Sequence, residues 1–322
     1  MPVRLSAYLK KAYGEKIYRL SLSSGCSCPN RDGTVKGADG APSYRGCTFC
    51  SEGGSGEFAE VVYSPEAISQ QLDRAKERIA AKTDARRFIA YFQSYTNTYG
   101  DPDRLFALYK KVIEREDIEI LSIGTRPDCL GPEIMDMLVG LNAIKPVWVE
   151  LGLQTIHEST AKHINRGYEL SVFEDAYKRL KEAGITVIVH IILGLPGESE
   201  NDMLETVRYL AALTPTLDGI KLQNLNILKG TVVAEEYDSY LQAPKESEYP
   251  FHIMSMEEYT DLIAKCLRLL PKSTVVHRMT GDGPRSILVE PLWVTDKKRV
   301  INMLSKKCGE IFEKDEEEMG NY

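Results

Sequence analysis

The sequence predicts a parallel α/β fold on two observations. Apolar, β-branched runs alternate with helical segments about six times, and most of the helical segments open on a capping or proline signal. In chain order, Ile17–Leu22 reads as the first strand, followed by a helix over Pro65–Ala81 with Ser64 as its N-cap. Phe88–Phe92 is the second strand, and Pro102–Arg115 the helix behind Asp101. Ile118–Ile123 leads to helix Pro132–Leu141, and Val147–Leu153 to helix Ser171–Ala183, which Gly184 closes. Thr186–Leu193 precedes helix Glu200–Leu213 behind Ser199, and Leu217–Leu222 is the sixth strand. Strict βα alternation implies right-handed crossovers, and six units suit a partial barrel or an open doubly wound sheet equally. In both, chemistry belongs at the C-terminal ends of the strands.

A break at Pro244 to Pro250 separates a core, 1–245, from an extension, 246–322. The extension holds a helix over Glu257–Leu270, a short strand Thr274–His277 and a final helix from Asp296. The longest apolar runs fall short of the ~20 residues a membrane span needs, and the N-terminus lacks the apolar region of a signal peptide. A cytoplasmic protein with no membrane span is expected. The net charge of −7 argues against general coating of nucleic acid. Basic residues do cluster at Arg4, Lys10, Lys11, Lys16 and Arg19, and at Lys297-Lys298-Arg299, while Glu310–Glu318 is acidic. Such runs are ordinarily solvated faces.

Four of the seven cysteines crowd between Cys26 and Cys50, a pattern unlike a secreted disulfide scaffold. Cys47-Thr-Phe-Cys50 places two thiolates on one turn, and Cys28 joins them across a glycine-rich loop. Three thiolates can hold a [4Fe–4S] cluster with one iron open for a ligand. A four-cysteine zinc site that adds Cys26 fits the same spacing, although Cys26-Ser27-Cys28 is a cramped pair. Cys129, Cys266 and Cys308 read as small core hydrophobes. Glu150 and Gln154 share one face of their strand, which points both inward if that face lines a barrel. Gly53-Gly54 reads as a loop stabiliser rather than a phosphate cradle.

The string Cys28-Pro-Asn-Arg-Asp-Gly, followed by Gly46-Cys-Thr-Phe-Cys, resembles a bacterial branch of radical S-adenosylmethionine (SAM) proteins related to the catalytic subunit of Elongator. Further matching strings follow in order: Ala90–Thr98, Gly124–Cys129, Trp148–Thr155, Ile164–Tyr168, His190–Glu198 and Gly219–Leu222, so the resemblance spans about residues 10 to 295. It departs from the commoner three-and-two cysteine spacing, Tyr44-Arg45 lengthen the inter-cysteine loop, and Cys26 has no counterpart.

The resemblance implies a partial (βα)6 TIM-type barrel with a small C-terminal α/β extension, a [4Fe–4S] cluster on Cys28, Cys47 and Cys50, and SAM chelating the open iron. An electron donor such as a flavodoxin or a ferredoxin would reduce the cluster, and homolysis of SAM would yield a 5′-deoxyadenosyl radical. Gln93, Ser94 and Tyr95 stand where the family contacts the methionyl amine, and Arg126 and Arg166 are candidates for the methionyl carboxylate. Glu150 and Gln154 would meet the ribose, and Ile192, Leu193 and Gly194, with His190 nearby, would flank the adenine. His277, Arg278 and Asp282 could close over the substrate. Elongator's catalytic subunit acts at the wobble uridine of tRNA, which suggests tRNA as partner and the carbon-5 side chain of that uridine as substrate. A basic N-terminal segment and Lys297–Arg299 on one side of the mouth would answer the acidic net charge. No acetyl-CoA chemistry is expected, since only about 80 residues follow the barrel. Two other readings stay open: a radical enzyme for a small metabolite or peptide, and a zinc-bearing RNA-binding scaffold.

Overall fold

The computed structural model describes all residues except 1, 38–39, 55–58, 62–64, 81–84, 282 and 320–322, and gives only the backbone at 60–61, 65, 310 and 312–319. The expected cap Ser64, the helix end Ala81 and the candidate Asp282 lie outside the described residues, as do most side chains of the acidic tail.

In chain order the elements are β1 (Val3–Arg4), α1 (Leu5–Tyr13), β2 (Tyr18–Ser23), β3 (Glu60–Val61), α2 (Ile68–Ala80), β4 (Phe88–Phe92), α3 (Pro102–Ile113), β5 (Ile118–Thr125) and α4 (Pro132–Asn142). They continue as β6 (Val147–Gln154), α5 (Glu158–His163), α6 (Leu170–Glu182), β7 (Thr186–Leu193), α7 (Glu200–Ala211), β8 (Gly219–Asn224), β9 (Ile227–Leu228) and α8 (Val232–Gln242). α9 (Met256–Leu269), β10 (Val275–Arg278), β11 (Leu288–Glu290) and α10 (Lys297–Met319) complete the chain. The six expected strands are present with ends shifted by two residues at most. Capping chemistry sets the helix starts as expected. The Asp101 carboxylate accepts from Arg104 N at 2.8 Å, and Ser199 and Asp202 form a reciprocal capping box.

One parallel sheet runs in the order β1-β10-β8-β7-β6-β5-β4-β2-β3, with β9 and β11 as a separate antiparallel pair. Five strands separate β2 from β10 in that order, yet Arg19 Nη2 on β2 lies 2.9 Å from His277 Nδ1 on β10. The sheet therefore curls into a partial barrel, and this contact draws its two margins together. Outward-facing strand residues such as Leu121, Leu151 and Val189 share one apolar core with the surrounding helices.

Two expectations change. The extension does not stand apart at residue 246: Val275 pairs with Gly219, so β10 joins the main sheet, and Cys266, Leu267 and Leu304 lie in the same core cluster as the strands. Secondly, the two basic segments do not share the mouth. Leu9 of α1 packs with Ile17, Ile89, Ile120, Trp148 and Ile188, all near the N-terminal ends of their strands, so α1 stoppers the far end of the barrel. Lys297–Arg299 opens α10 beside the start of α9, where Arg299 is 3.7 Å from Glu257, at the mouth end.

Candidate active site

The loop after β2 carries three thiols into one cavity at the C-terminal ends of the strands: Cys28, Cys47 and Cys50 all line it, and its volume is about 260 Å³. The loop is held by its own backbone and by the segment after α5. Cys50 N donates to Cys47 O at 2.9 Å, closing the expected turn. Arg31 Nη2 donates to the carbonyls of Cys50 and Ser51 at 2.7 and 2.6 Å. Asn165 Nδ2 donates to Gly46 O at 2.8 Å, and Asn30 Nδ2 to Asn165 O at 2.7 Å, which gives the Asn165-Arg166-Gly167 string a physical task. Gly54 has φ +61 and lies against the Tyr95 ring, so any Cβ would collide with it at 2.4 Å. This matches its reading as a loop stabiliser.

Cys26 is elsewhere. It is 7% exposed within the main apolar core, and its sulfur lies where a Cβ on Gly100 would meet it at 3.2 Å, with Ser24 and Arg104 beside it. The four-cysteine zinc site required Cys26 among the other three thiols, and the fold turns it away. Cys266 and Cys308 are buried core residues as expected. Cys129 is half-buried beside Asp128 rather than in the apolar core.

At the rim, each arginine is engaged. Arg126 pairs with Asp128 through two bonds of 2.9 and 2.7 Å and donates to Arg166 O at 2.9 Å. Arg166, 1% exposed, donates to the carbonyls of Tyr168, Leu153 and Thr155 and approaches Glu158 at 3.3 Å. Both flank the Tyr168 ring, at 5.0 and 4.7 Å. Arg166 thus fastens the end of β6 to the following loop, whereas Arg126 also exerts its charge on Cys47, whose thiol burial pushes up to about 12. Gln93, Tyr95 and Gln154 line the cavity. Ser94 and Leu193 do not: Ser94 is buried off the lining, and Leu193 packs in the main core because its neighbour Ile192 takes the inward side of the strand.

Beneath the rim lies a charged floor. Glu150, 1% exposed, accepts from Ser122 Oγ at 2.9 Å, His190 Nε2 at 2.7 Å and the Lys221 ammonium, while Arg19 stands 4.0 Å away. Burial opposes its charge, but Lys221, His190 and Arg19 hold its carboxyl well below the usual range. Glu150 lines the cavity while three donors within the protein hold its oxygens. Burial lowers His190 to about 4, with Lys221 adding to the effect, so His190 is neutral and donates its Nε2–H. His277 bonds Arg19 at the barrel seam instead of closing over the substrate, whereas Arg278 lines the cavity. Lys221 and Tyr91, 3.0 Å apart, are residues the sequence reading missed as site residues. A lysine inside a buried strand, in phase with Gln223, is itself a signal, because lysine is almost never buried unpaired.

A half-barrel with three convergent thiols and a polar cavity at its strand ends defines a class. The family model of the radical SAM superfamily matches residues 44–210, and that of the radical SAM C-terminal domain matches residues 217–310. This chain belongs to the radical SAM superfamily and is an enzyme using a [4Fe–4S] cluster and SAM. It is similar to YtqA of Bacillus subtilis (strain 168), an uncharacterised protein, at 36% identity over 321 residues, covering 98% of this chain and 94% of that protein. Elongator complex protein 3 of Drosophila melanogaster is 29% identical over 170 residues, 52% of this chain and 28% of that protein. The structure of archaeal Elp3 from Methanocaldococcus infernus shares the fold with a TM-score of 0.60 at 18% identity, over 76% of this chain and 61% of that one. Within the superfamily the similarity to Elongator complex protein 3 covers about half of this chain.

The residues fit the cofactors. Cys28, Cys47 and Cys50 would hold the cluster, leaving one iron for SAM, and soft thiolates are the donors iron–sulfur clusters take. When bound, this pair supplies a 5′-deoxyadenosyl radical. The chain's own contribution is to tie the thiol loop down, keep Arg126 beside Cys47 and enclose the reacting groups between rim and floor.

Proposed function

We propose that this enzyme converts a carboxymethylaminomethyl group at carbon 5 of the tRNA wobble uridine to an aminomethyl group. The observation that carries the reading is the ordered series of strand-end motifs that resemble the Elongator branch, several of which lie at this cavity. The reaction removes a hydrogen atom from the carboxymethyl methylene. Its balance is SAM, substrate and water giving methionine, 5′-deoxyadenosine, the aminomethyl nucleoside, glyoxylate and one proton. SAM is the two-electron oxidant overall, and a flavodoxin or ferredoxin starts the cycle. Recognition of RNA at the mouth does not draw on the N-terminal basic segment, which lies at the opposite end of the barrel.

Mass spectrometry of tRNA nucleosides from cells lacking the protein tests the reading. Accumulation of carboxymethylaminomethyluridine, with loss of aminomethyluridine and its derivatives, is expected; an unchanged wobble profile would sink it. The location of α1 and the acidic net charge favour the second reading, a small metabolite or peptide substrate, and that second outcome is the one it predicts.

A further inference from the structure

We infer that the side-chain amide of Asn30 donates a hydrogen bond to the Cys47 sulfur and thereby raises the reduction potential of the iron–sulfur cluster. Asn30 is then a positioning residue for electron transfer, acting through Cys47. The inference goes beyond the proposed reaction and holds for any substrate; it rests on Cys47 serving as a cluster ligand.

Geometry supports it first. Asn30 is fully buried, and its Nδ2 lies 2.7 Å from Asn165 O and 3.6 Å from Cys47 Sγ. A primary amide carries two N–H donors, so one serves the carbonyl and the other the sulfur, which is larger than oxygen and accepts at a longer separation. The Asn165 carbonyl also fixes which way the amide faces, because a flipped group would set Oδ1 against it, acceptor to acceptor. Oδ1 itself is buried and has no hydrogen-bond partner among the described residues. An unpaired buried oxygen costs about 1–3 kcal/mol, so the side chain is placed for its donors and not for its acceptor.

Preorganisation supports it second. Arg31 N donates to Cys28 O at 2.8 Å, closing the turn that carries Asn30, and Ser43 Oγ donates to Asn30 O at 2.9 Å. Asn165 completes a ring of bonds: its Nδ2 donates to the same Ser43 Oγ at 3.0 Å while its carbonyl accepts from Asn30. Asn165 has φ +51, a left-handed conformation that asparagine adopts more readily than most residues. The amide is thus held toward Cys47 from both the turn and the segment after α5.

Chemistry supports it third. Reduction adds one electron from the flavodoxin or ferredoxin, with no bond made or broken. The added negative charge is shared by the thiolate sulfurs, so a hydrogen bond donated to one of them strengthens on reduction and favours the reduced state. Arg126 also acts on Cys47 through its charge, but Asp128 matches that charge with two bonds. Asn30 is a neutral donor in contact with the sulfur, in a fully buried place where water does not compete for the bond.

The test is a redox titration of the cluster-loaded enzyme without SAM, read by EPR of the reduced cluster. Asn30→Ala should shift the one-electron equilibrium toward the oxidised cluster by about tenfold, a potential about 59 mV more negative. Asn165→Gly is the structural control. It keeps the carbonyl and permits the left-handed φ, yet removes the side-chain bonds to Gly46 O and Ser43 Oγ. It should lower the iron retained after desalting while leaving the retained cluster at the wild-type potential. A wild-type potential in Asn30→Ala, or an equal shift in Asn165→Gly, overturns the inference, since a residue that only fastens the loop moves iron retention alone. If either variant holds no cluster, pulsed EPR of wild type isotopically labelled in the asparagine side-chain amide decides. A nitrogen coupling to the reduced cluster supports the bond, and its absence overturns it.

Discussion

The rim and the floor of the cavity treat charge in opposite ways. At the rim Arg126 and Arg166 each have a carboxylate outside the cavity, and backbone carbonyls take most of their remaining donors. At the floor, among the described residues, Glu150 meets Lys221, His190 and Arg19. A rim already satisfied within the protein keeps a loop in place for a cofactor that brings its own bonding through three thiols. The floor instead gathers its polar groups around one buried carboxylate, so its stability depends on that single group.

The largest way to break the contrast is Glu150→Gln. It leaves the buried Lys221 and the half-buried Arg19 without this carboxylate, and should cost about 3–5 kcal/mol in denaturant unfolding. Removing Lys221 as well should recover much of that loss; a double variant no more stable than the single one would show that the floor is not an electrostatic unit. Acid sharpens the same contrast. Folded His190 titrates near 4 against 6.5 when exposed, and burial together with Arg19 holds His277 well below 6.5. As pH falls below 6.5 the unfolded chain takes up these protons first, so stability is lost down to the folded values. Between about pH 7 and about pH 5, His190 alone should remove about 2 kcal/mol, and His190→Gln should flatten the slope. A stability unchanged across that range contradicts the floor geometry.

At the rim, Gly54→Ala forces a side chain into a left-handed φ and into the Tyr95 ring. It should cost about 1–2 kcal/mol and lower the iron retained after desalting. The smallest effect belongs to Arg45, whose ion pair with Glu235 is exposed on both sides. Arg45→Ala should change stability by less than about 1 kcal/mol, and a larger loss in thermal unfolding would mean that the pair holds the cysteine loop.

Much of the barrel was legible because its strands, buried on both faces, read as continuous β-branched runs bounded by caps at Asp101 and Ser199. Spacing brought Cys28, Cys47 and Cys50 together but left Cys26 open as a fourth ligand. What the sequence concealed depends on direction and on long-range contact. Gly25, with φ +73, and the turn after it decide that Cys26 enters the core while Cys28 enters the cavity, and no spacing rule encodes that. The floor joins Arg19 to His277 across 258 positions and Glu150 to Lys221 across 71, so only the curl of the sheet reveals it. Helix α1 was missed although Leu5, Leu9 and Tyr13 recur every four residues, because the interleaved lysines read as a solvated basic run. Its sign was visible in the sequence, but its location at the closed end was not.

The most direct test of the account is metal and sulfide analysis of anaerobically prepared enzyme beside its Cys26→Ala and Cys47→Ala variants, with 5′-deoxyadenosine measured after reduction in the presence of SAM. The account predicts about four irons per chain and SAM cleavage in wild type and Cys26→Ala, and neither in Cys47→Ala. Zinc in place of iron, or a Cys26→Ala variant as depleted as Cys47→Ala, would contradict it.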